Sequence, residues 1–312
     1  MTEHYITLFD SVFLPQGLAL HSSLQRHGGD FHLWIVAMDD SAASILRTLE
    51  LHRASVVPLS AIEGPELLAA KLDRSTAEYC WTVTPFTPDV VFERDPQAER
   101  ATYVDADLWL VKNPRVLFRQ LENSGADALI TPHAYASKYA SETRYGEYCV
   151  QFMPFERQRS IDIRRTWQSQ CLDWCYSVPD DHRFGDQKYL DGWPQMYGDR
   201  VEVLQHPEWT QAPWNAQRFS AESAVTYHFH RLRLLSRNRA LLGLYAIPTD
   251  HLQQIYRPYL DDLRSALDRL DNHGVPFIPQ TQSPTGMGRL RSIAEFRLHN
   301  HRHPTARRWL RF

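Results

Sequence analysis

The chain has 312 residues, 43% of them hydrophobic, and a formal net charge of −3. That length suits one large domain or two intimately packed ones with a sizeable core. The charge excludes binding of nucleic acid by the chain's overall electrostatics.

In chain order, YITLF near the start has strand composition. From Pro15 onward Leu18, Leu20 and Leu24 recur at helical spacing, and Gly28-Gly29 stops that helix. FHLWIVAMDD is a near-continuous apolar run ending on Asp39-Asp40, the pattern of a central parallel strand. SAASILRTLEL predicts a helix with Ser41 as its N-cap, and ASVVPLSAI the next strand. Residues 64–92 predict helix with a break at Thr84-Pro85, and ATYVDADLWLV a further single strand. ADALITP, EYCVQFMPF, VEVLQHP and AVTYHFH predict strands; SIDIRRTWQSQCLDWCYSV and residues 249–272 predict helices. Strands alternating with helices predict an α/β fold with a mainly parallel sheet, whose ligands bind beyond the carboxyl ends of the strands.

Cys80, Cys149, Cys171 and Cys175 form no CxxC pair, and we read them as reduced thiols of a cytoplasmic protein. There is no charged-then-apolar leader pattern and no run of about 18 apolar residues, so neither secretion by that route nor a membrane span is expected. The end of the chain differs in composition. From Arg289 to Arg311 seven arginines stand against one acid, Glu295, with Leu290, Ile293 and Phe296 at helical spacing among them. Such a segment suits the surface of an anionic membrane, which predicts peripheral attachment.

The chemistry concentrates in TYVDADLWLVKNP. Asp105 and Asp107, one residue apart on a turn after a buried strand, can both reach one hard cation, Mg²⁺ or Mn²⁺, that neutralises a diphosphate.

The ordered set TLFDSVFLPQGLALHSSLQRH, FHLWIVAMDD, TAEYCWTVTP, TYVDADLWLVKNP and FGDQKYLDGWP resembles the GT-A nucleotide-sugar glycosyltransferases, most closely those related to family 8, the retaining galactosyl- and glucosyltransferases of bacterial surface glycans. The resemblance spans roughly residues 4–235. It implies a GT-A, Rossmann-like domain over residues 1–245, with a nucleotide-binding half (1–114) and an acceptor or catalytic half (115–245). Residues 246–312 would be a helical, Arg-rich extension. It further implies that Thr7, Phe9, Asp10 and Asp39 seat the uracil and ribose of a UDP-hexose donor. Lys71 and Arg74 match basic positions suited to phosphate or sugar. Asp105 also lies at the donor, and Asp105 and Asp107 are metal ligands with a third supplied by His228 or His230. Strand alternation puts both histidines on one face and does not choose between them. Asp186 and Gln187 would be the catalytic pair at the reacting sugar. His206, Trp214 and Asn215 are candidates for a glycan or lipid-linked acceptor. One departure is Cys149-Val150-Gln151, where related sequences carry an asparagine in place of the thiol.

Two other classes fit parts of the pattern. A nucleotidyltransferase making nucleotide sugars shares the sheet and the metal diad, but residues 7–17 hold only Gly17 and no base where such enzymes carry a Gly-rich basic loop. A degenerate glycan-binding protein would explain Cys149, against which stand Asp105, Asp107, Asp186 and Gln187.

Overall fold

The computed structural model describes residues 2–280 and 309–312. The chain opens with β1 (Glu3–Phe9), which is buried almost throughout. It continues into α1 (Leu14–His27), entered through Pro15 and followed by Gly28. Next come β2 (Phe31–Ala37), α2 (Asp40–Leu49) and β3 (Ala54–Pro58). The predicted helical stretch divides into α3 (Pro65–Lys71), α4 (Thr76–Val83) and α5 (Thr87–Arg94). A 3₁₀ turn at Thr84–Phe86 forms the expected proline break, and a capping box of Ser75 with Glu78 restarts the helix at α4.

The run at 101–111 is not one strand but two. β4 (Arg100–Val104) lies in the main sheet, and β5 (Leu108–Leu110) leaves it for a small sheet. The turn carrying Asp105 and Asp107 makes the change of direction. Then follow α6 (Arg115–Ser124), β6 (Ala128–Pro132), β7 (Tyr148–Cys149), β8 (Phe152–Glu156), α7 (Ile161–Asp173), α8 (Trp193–Tyr197), β9 (Val201–Val203), β10 (Thr210–Gln211) and β11 (Thr226–His228). β12 (Arg233–Ser236) and β13 (Arg239–Leu241) form a hairpin. The helix of 249–272 runs from α9 (Thr249–His251) through a π-helical segment into α10 (Arg257–Asn272). The last described segment is β14 (Trp309–Arg311).

The main sheet has the order β3-β2-β1-β4-β8-β6-β7, with β9 paired to β6. β1 to β4 are mutually parallel where they touch, and β8 runs antiparallel between β4 and β6. The fold is therefore α/β with a mixed, mainly parallel sheet flanked by helices. One face packs Leu18, Leu24, Leu117 and Phe118 of α1 and α6. The other packs Leu67, Val83, Val91, Trp167 and Trp193 of α3 to α5, α7 and α8. α10 packs on α1 through Tyr259, Leu263 and Leu267, in a cluster shared with Trp109 and Tyr227.

Two sequence expectations change. Asp39, not Ser41, caps α2: its carboxylate accepts the Ala42 N–H at 2.6 Å, so the cap lies two residues earlier. The basic end of the chain is extended at Trp309–Arg311, where β14 adds to β13. The stripe Leu290, Ile293 and Phe296 lies outside the described residues, as do the remaining arginines of that segment.

Candidate functional site

β1, β2 and β4 are in register, Phe9 opposite Ala37 and Ile6 opposite Tyr103. Their ends bring Asp10, Asp39 and Asp105 to one edge of the sheet. At that edge the diad gains a histidine. β11 pairs antiparallel with β5, setting His228 opposite Leu108, and the Phe229 N–H bonds the Asp107 carbonyl at 2.9 Å. His228 Nε2 lies 3.1 Å from Asp107 Oδ1 and 3.6 Å from Asp105 Oδ2. One ligand atom from each residue falls within 4.8 Å of the others, so the three can close on a single ion. β11 ends at His228. The chain then turns, with Arg231 at φ 60°, and His230 is not among the three. Alternation placed both histidines on one face only for a strand that continued.

Burial pushes the Asp107 carboxyl up, but the His228 charge more than offsets it and holds it at about 2. Asp105 moves up, chiefly by burial, with Asp107 adding to the effect and His228 opposing it. Burial lowers His228, yet the two carboxylates, Asp107 foremost, hold it well above its ordinary value. A proton on His228 thus sits where a cation satisfies the same carboxylates. The Tyr103 hydroxyl donates to Asp105 Oδ1 at 2.9 Å and fixes that side chain.

Asp186 is buried near enough to Asp105 to feel its charge. Gly185 turns the chain at φ +52° and lies so close to Trp81 that a Cβ there would meet the indole at 3.2 Å. The Trp167 indole N–H then anchors the Asp186 carbonyl at 2.8 Å. The carboxyl is 6% exposed, and burial first, the charge of Asp105 second, raise it well above the carboxylate range. Gln187 is tied by its nitrogen to the Tyr145 carbonyl at 2.9 Å.

No protein-family model matches the chain. It is 28% identical over 290 residues to the Bacillus subtilis (strain 168) protein YfnF, covering 87% of this chain and 96% of that one. It is 26% identical over 288 residues to YfnD of the same organism, covering 87% and 92%. Both carry the name uncharacterized protein. Among solved structures, the glycosyltransferase GlyE of Streptococcus pneumoniae TIGR4 matches with a TM-score of 0.52 at 14% identity, over 90% of this chain and 66% of that one. The galactosyltransferase LgtC, solved with donor and acceptor sugar analogs, matches with a TM-score of 0.52 at 11% identity, over 84% and 95%. The chain has the GT-A glycosyltransferase fold.

Within that GT-A fold the remaining sequence candidates separate. Asp10 stands at the sheet edge and accepts the Val12 and Phe13 N–H groups at 3.1 and 3.2 Å. Asp39 is beside it but is occupied by Ser11 and by the cap of α2. Thr7 is fully buried with its hydroxyl unpartnered. Phe9 is 3% exposed, its ring packed against Gly17 in the core. Lys71 is exposed and paired with Glu63 at 2.6 Å. Arg74 bonds the Thr82 hydroxyl and the Cys171 and Leu172 carbonyls at 2.6–2.7 Å, which caps the end of α7 and takes up its guanidinium.

The acceptor candidates do not form one surface. Trp214 sits edge-on to the rings of His228 and His230, 5.4 Å from each, and its N–H bonds the His133 carbonyl. It supports the metal-side histidine rather than presenting a face. Asn215 is fully buried and knits Ala212 to His133. His206 stacks on Trp209 at 4.3 Å and lines a cavity of about 440 Å³ against α6 and β9, which shares no residue with the diad. A base the sequence reading missed is Arg233, which lies over the Phe13 ring at 5.3 Å within the field of Asp107. Its only sequence signal is HFHRLR, where it follows His228 by five residues.

Proposed function

We propose that the chain is a metal-dependent glycosyltransferase that moves a hexose from a UDP-linked donor to a hydroxyl of a bacterial surface glycan such as lipopolysaccharide, with retention at the anomeric carbon. The observation that carries this reading is the Asp105–Asp107–His228 cluster at the strand-end edge of a GT-A fold, with buried Asp186 within the field of Asp105. Two carboxylates and one imidazole fit Mn²⁺, and Mg²⁺ less well because of the nitrogen. An ion held there by Asp105, Asp107 and His228 would supply charge neutralisation of the donor diphosphate and Lewis acidity at the leaving group.

The chain's own residues do the rest. Asp107 and His228 hold the ion, and Asp105 does so under the orienting bond from Tyr103. Arg233 supplies positive charge to the diphosphate. Asp186, buried beside Asp105, hydrogen-bonds a donor hydroxyl, and Gln187 lies under the anomeric carbon. Asp10 and Thr7 line the nucleoside end. Retention and the UDP linkage rest on the sequence resemblance. Residues 1–245 are the catalytic unit in this reading, with 246–312 as the extension, and the arginines near the end bring the enzyme to a lipid-linked acceptor at the inner face of the cytoplasmic membrane. No helix among the described residues is long and apolar enough to cross a membrane.

The test measures UDP release from a panel of UDP-hexoses with Mn²⁺. The wild type should release UDP from at least one of them, and Asp107→Ala or added EDTA should lower that rate by about 100-fold or more. Full activity in either condition contradicts the proposal.

A further inference from the structure

We infer that Gln151 is a specificity-determining residue for the donor hexose, an inference that rests on the sugar-transfer reading. Its side chain is fully buried, and neither its amide nitrogen nor its amide oxygen has a partner among the described residues. Buried carboxamides are almost always paired, because each unpaired group carries the full cost of leaving water. An orphan on both ends is a site waiting for a polar ligand.

The register says where that site is. β4 and β8 pair antiparallel with Tyr103 opposite Met153 and Val104 opposite Phe152. The next pair outward is Asp105 with Gln151, and the Asp105 N–H bonds the Gln151 carbonyl at 3.2 Å. Residues directly opposite in such a ladder point to the same face. Gln151 therefore shares the face of Asp105, Tyr103 and Met153. This is the face covered by Leu190 and Trp193, which follow Asp186. The amide therefore lies on the same side of the sheet as Asp105, whose charge also reaches the buried Asp186.

The chemistry of that amide fits a neutral polyol. A carboxamide offers a donor and an acceptor side by side, which matches two neighbouring hydroxyls that each donate and accept. A diphosphate belongs with the ion and Arg233, and a nucleoside with the ends of β1 and β2. The part of the donor left for Gln151 is the sugar. A buried group that must be satisfied by a hydroxyl rejects a ligand that lacks it or points it elsewhere, so Gln151 selects among epimers.

Calorimetry with Mn²⁺ tests this on Gln151→Met, which keeps the volume and removes the amide. UDP, UDP-glucose and UDP-galactose are the probes. The affinity for UDP should stay within about twofold of wild type, while that for the preferred UDP-hexose falls by about tenfold, the loss of one good hydrogen bond. The preference between the two hexoses should narrow, and Tm should not fall, because an unpaired buried amide has been replaced by apolar atoms. If the Met variant does not express, Gln151→Glu keeps the shape and should still alter the hexose preference at unchanged UDP affinity. Equal changes in UDP and UDP-hexose affinity, or none, overturn the inference and leave the transferase reading standing. A wild type that binds no UDP species with Mn²⁺ overturns that reading and this inference with it.

Discussion

At the scale of single residues, the site is held in place by histidines kept in opposite states. His228 is pushed up by its carboxylates after burial has lowered it, whereas His133, 3% exposed, is lowered to about 3 by burial and then by the His228 charge. The sign for His133 follows directly. Between about pH 3 and 6.5 the unfolded chain binds a proton at this residue that the folded chain does not, so acid costs stability across that window. His133→Phe should remove the effect. The stability of wild type relative to the variant, from urea unfolding at several pH values, should fall by about 1.4 kcal/mol per unit below pH 6. Parallel curves would show that His133 takes up its proton in the folded protein. The Asp105–Asp107 pair was legible in the sequence because both carboxylates sit on one short turn. His228 was not separable from His230 because the choice depends on where β11 stops. The placement of Gln151 and Arg233 near Asp105 and Asp107 was hidden because it depends on a strand pairing and on a loop.

At the scale of elements, most of the helices and strands could be read from apolar spacing, and the misreadings share a cause. The strand over 101–111 is divided because the diad turn sends β5 into another sheet, and composition does not register a change of sheet. Arg74 has the composition of a phosphate ligand, but the open carbonyls at the end of α7 claim it. Asp39 caps α2; if that is its whole role, Asp39→Ala should lower stability by about 1 kcal/mol and raise the donor KM only slightly. A large KM increase at unchanged stability would return it to the donor site. Gly17 lies inside α1, where glycine is unfavourable by propensity. A Cβ there would meet the Phe9 ring at 2.3 Å, so the glycine is a packing requirement between α1 and β1. Gly17→Val should cost about 2–3 kcal/mol in denaturant unfolding, and an unchanged midpoint would show that the Phe9 ring gives way freely.

At the scale of the whole molecule, the elements after residue 250 pack back onto the start of the chain and onto the hairpin of β12 and β13. α10 lies on α1, Gln280 bonds Gln16 and the Val12 carbonyl, and β14 extends the hairpin of β12 and β13 just after the metal-side strand. Leu310 and Phe312 pack against the cluster that holds Tyr227, the neighbour of His228. Deleting residues 309–312 should therefore lower Tm, by about 3 °C if the loss is near 2 kcal/mol; no change would mean that β14 adds nothing to the fold. Because β14 has this packing role, membrane attachment is tested by neutralising Arg297 and Arg302 in the full chain rather than by truncation. Binding to anionic vesicles at low salt should weaken if those arginines contact lipid. The central claim is that the Asp105–Asp107–His228 cluster holds the ion through which a nucleoside diphosphate binds. Its most direct measurement is the thermal shift given by UDP in Mn²⁺, in EDTA and in Asp107→Ala. A ligand that binds only the folded, ion-loaded protein raises Tm by linkage, so the shift should appear in Mn²⁺ alone and vanish in the other two conditions. An equal shift in all three, or none in Mn²⁺, would contradict it.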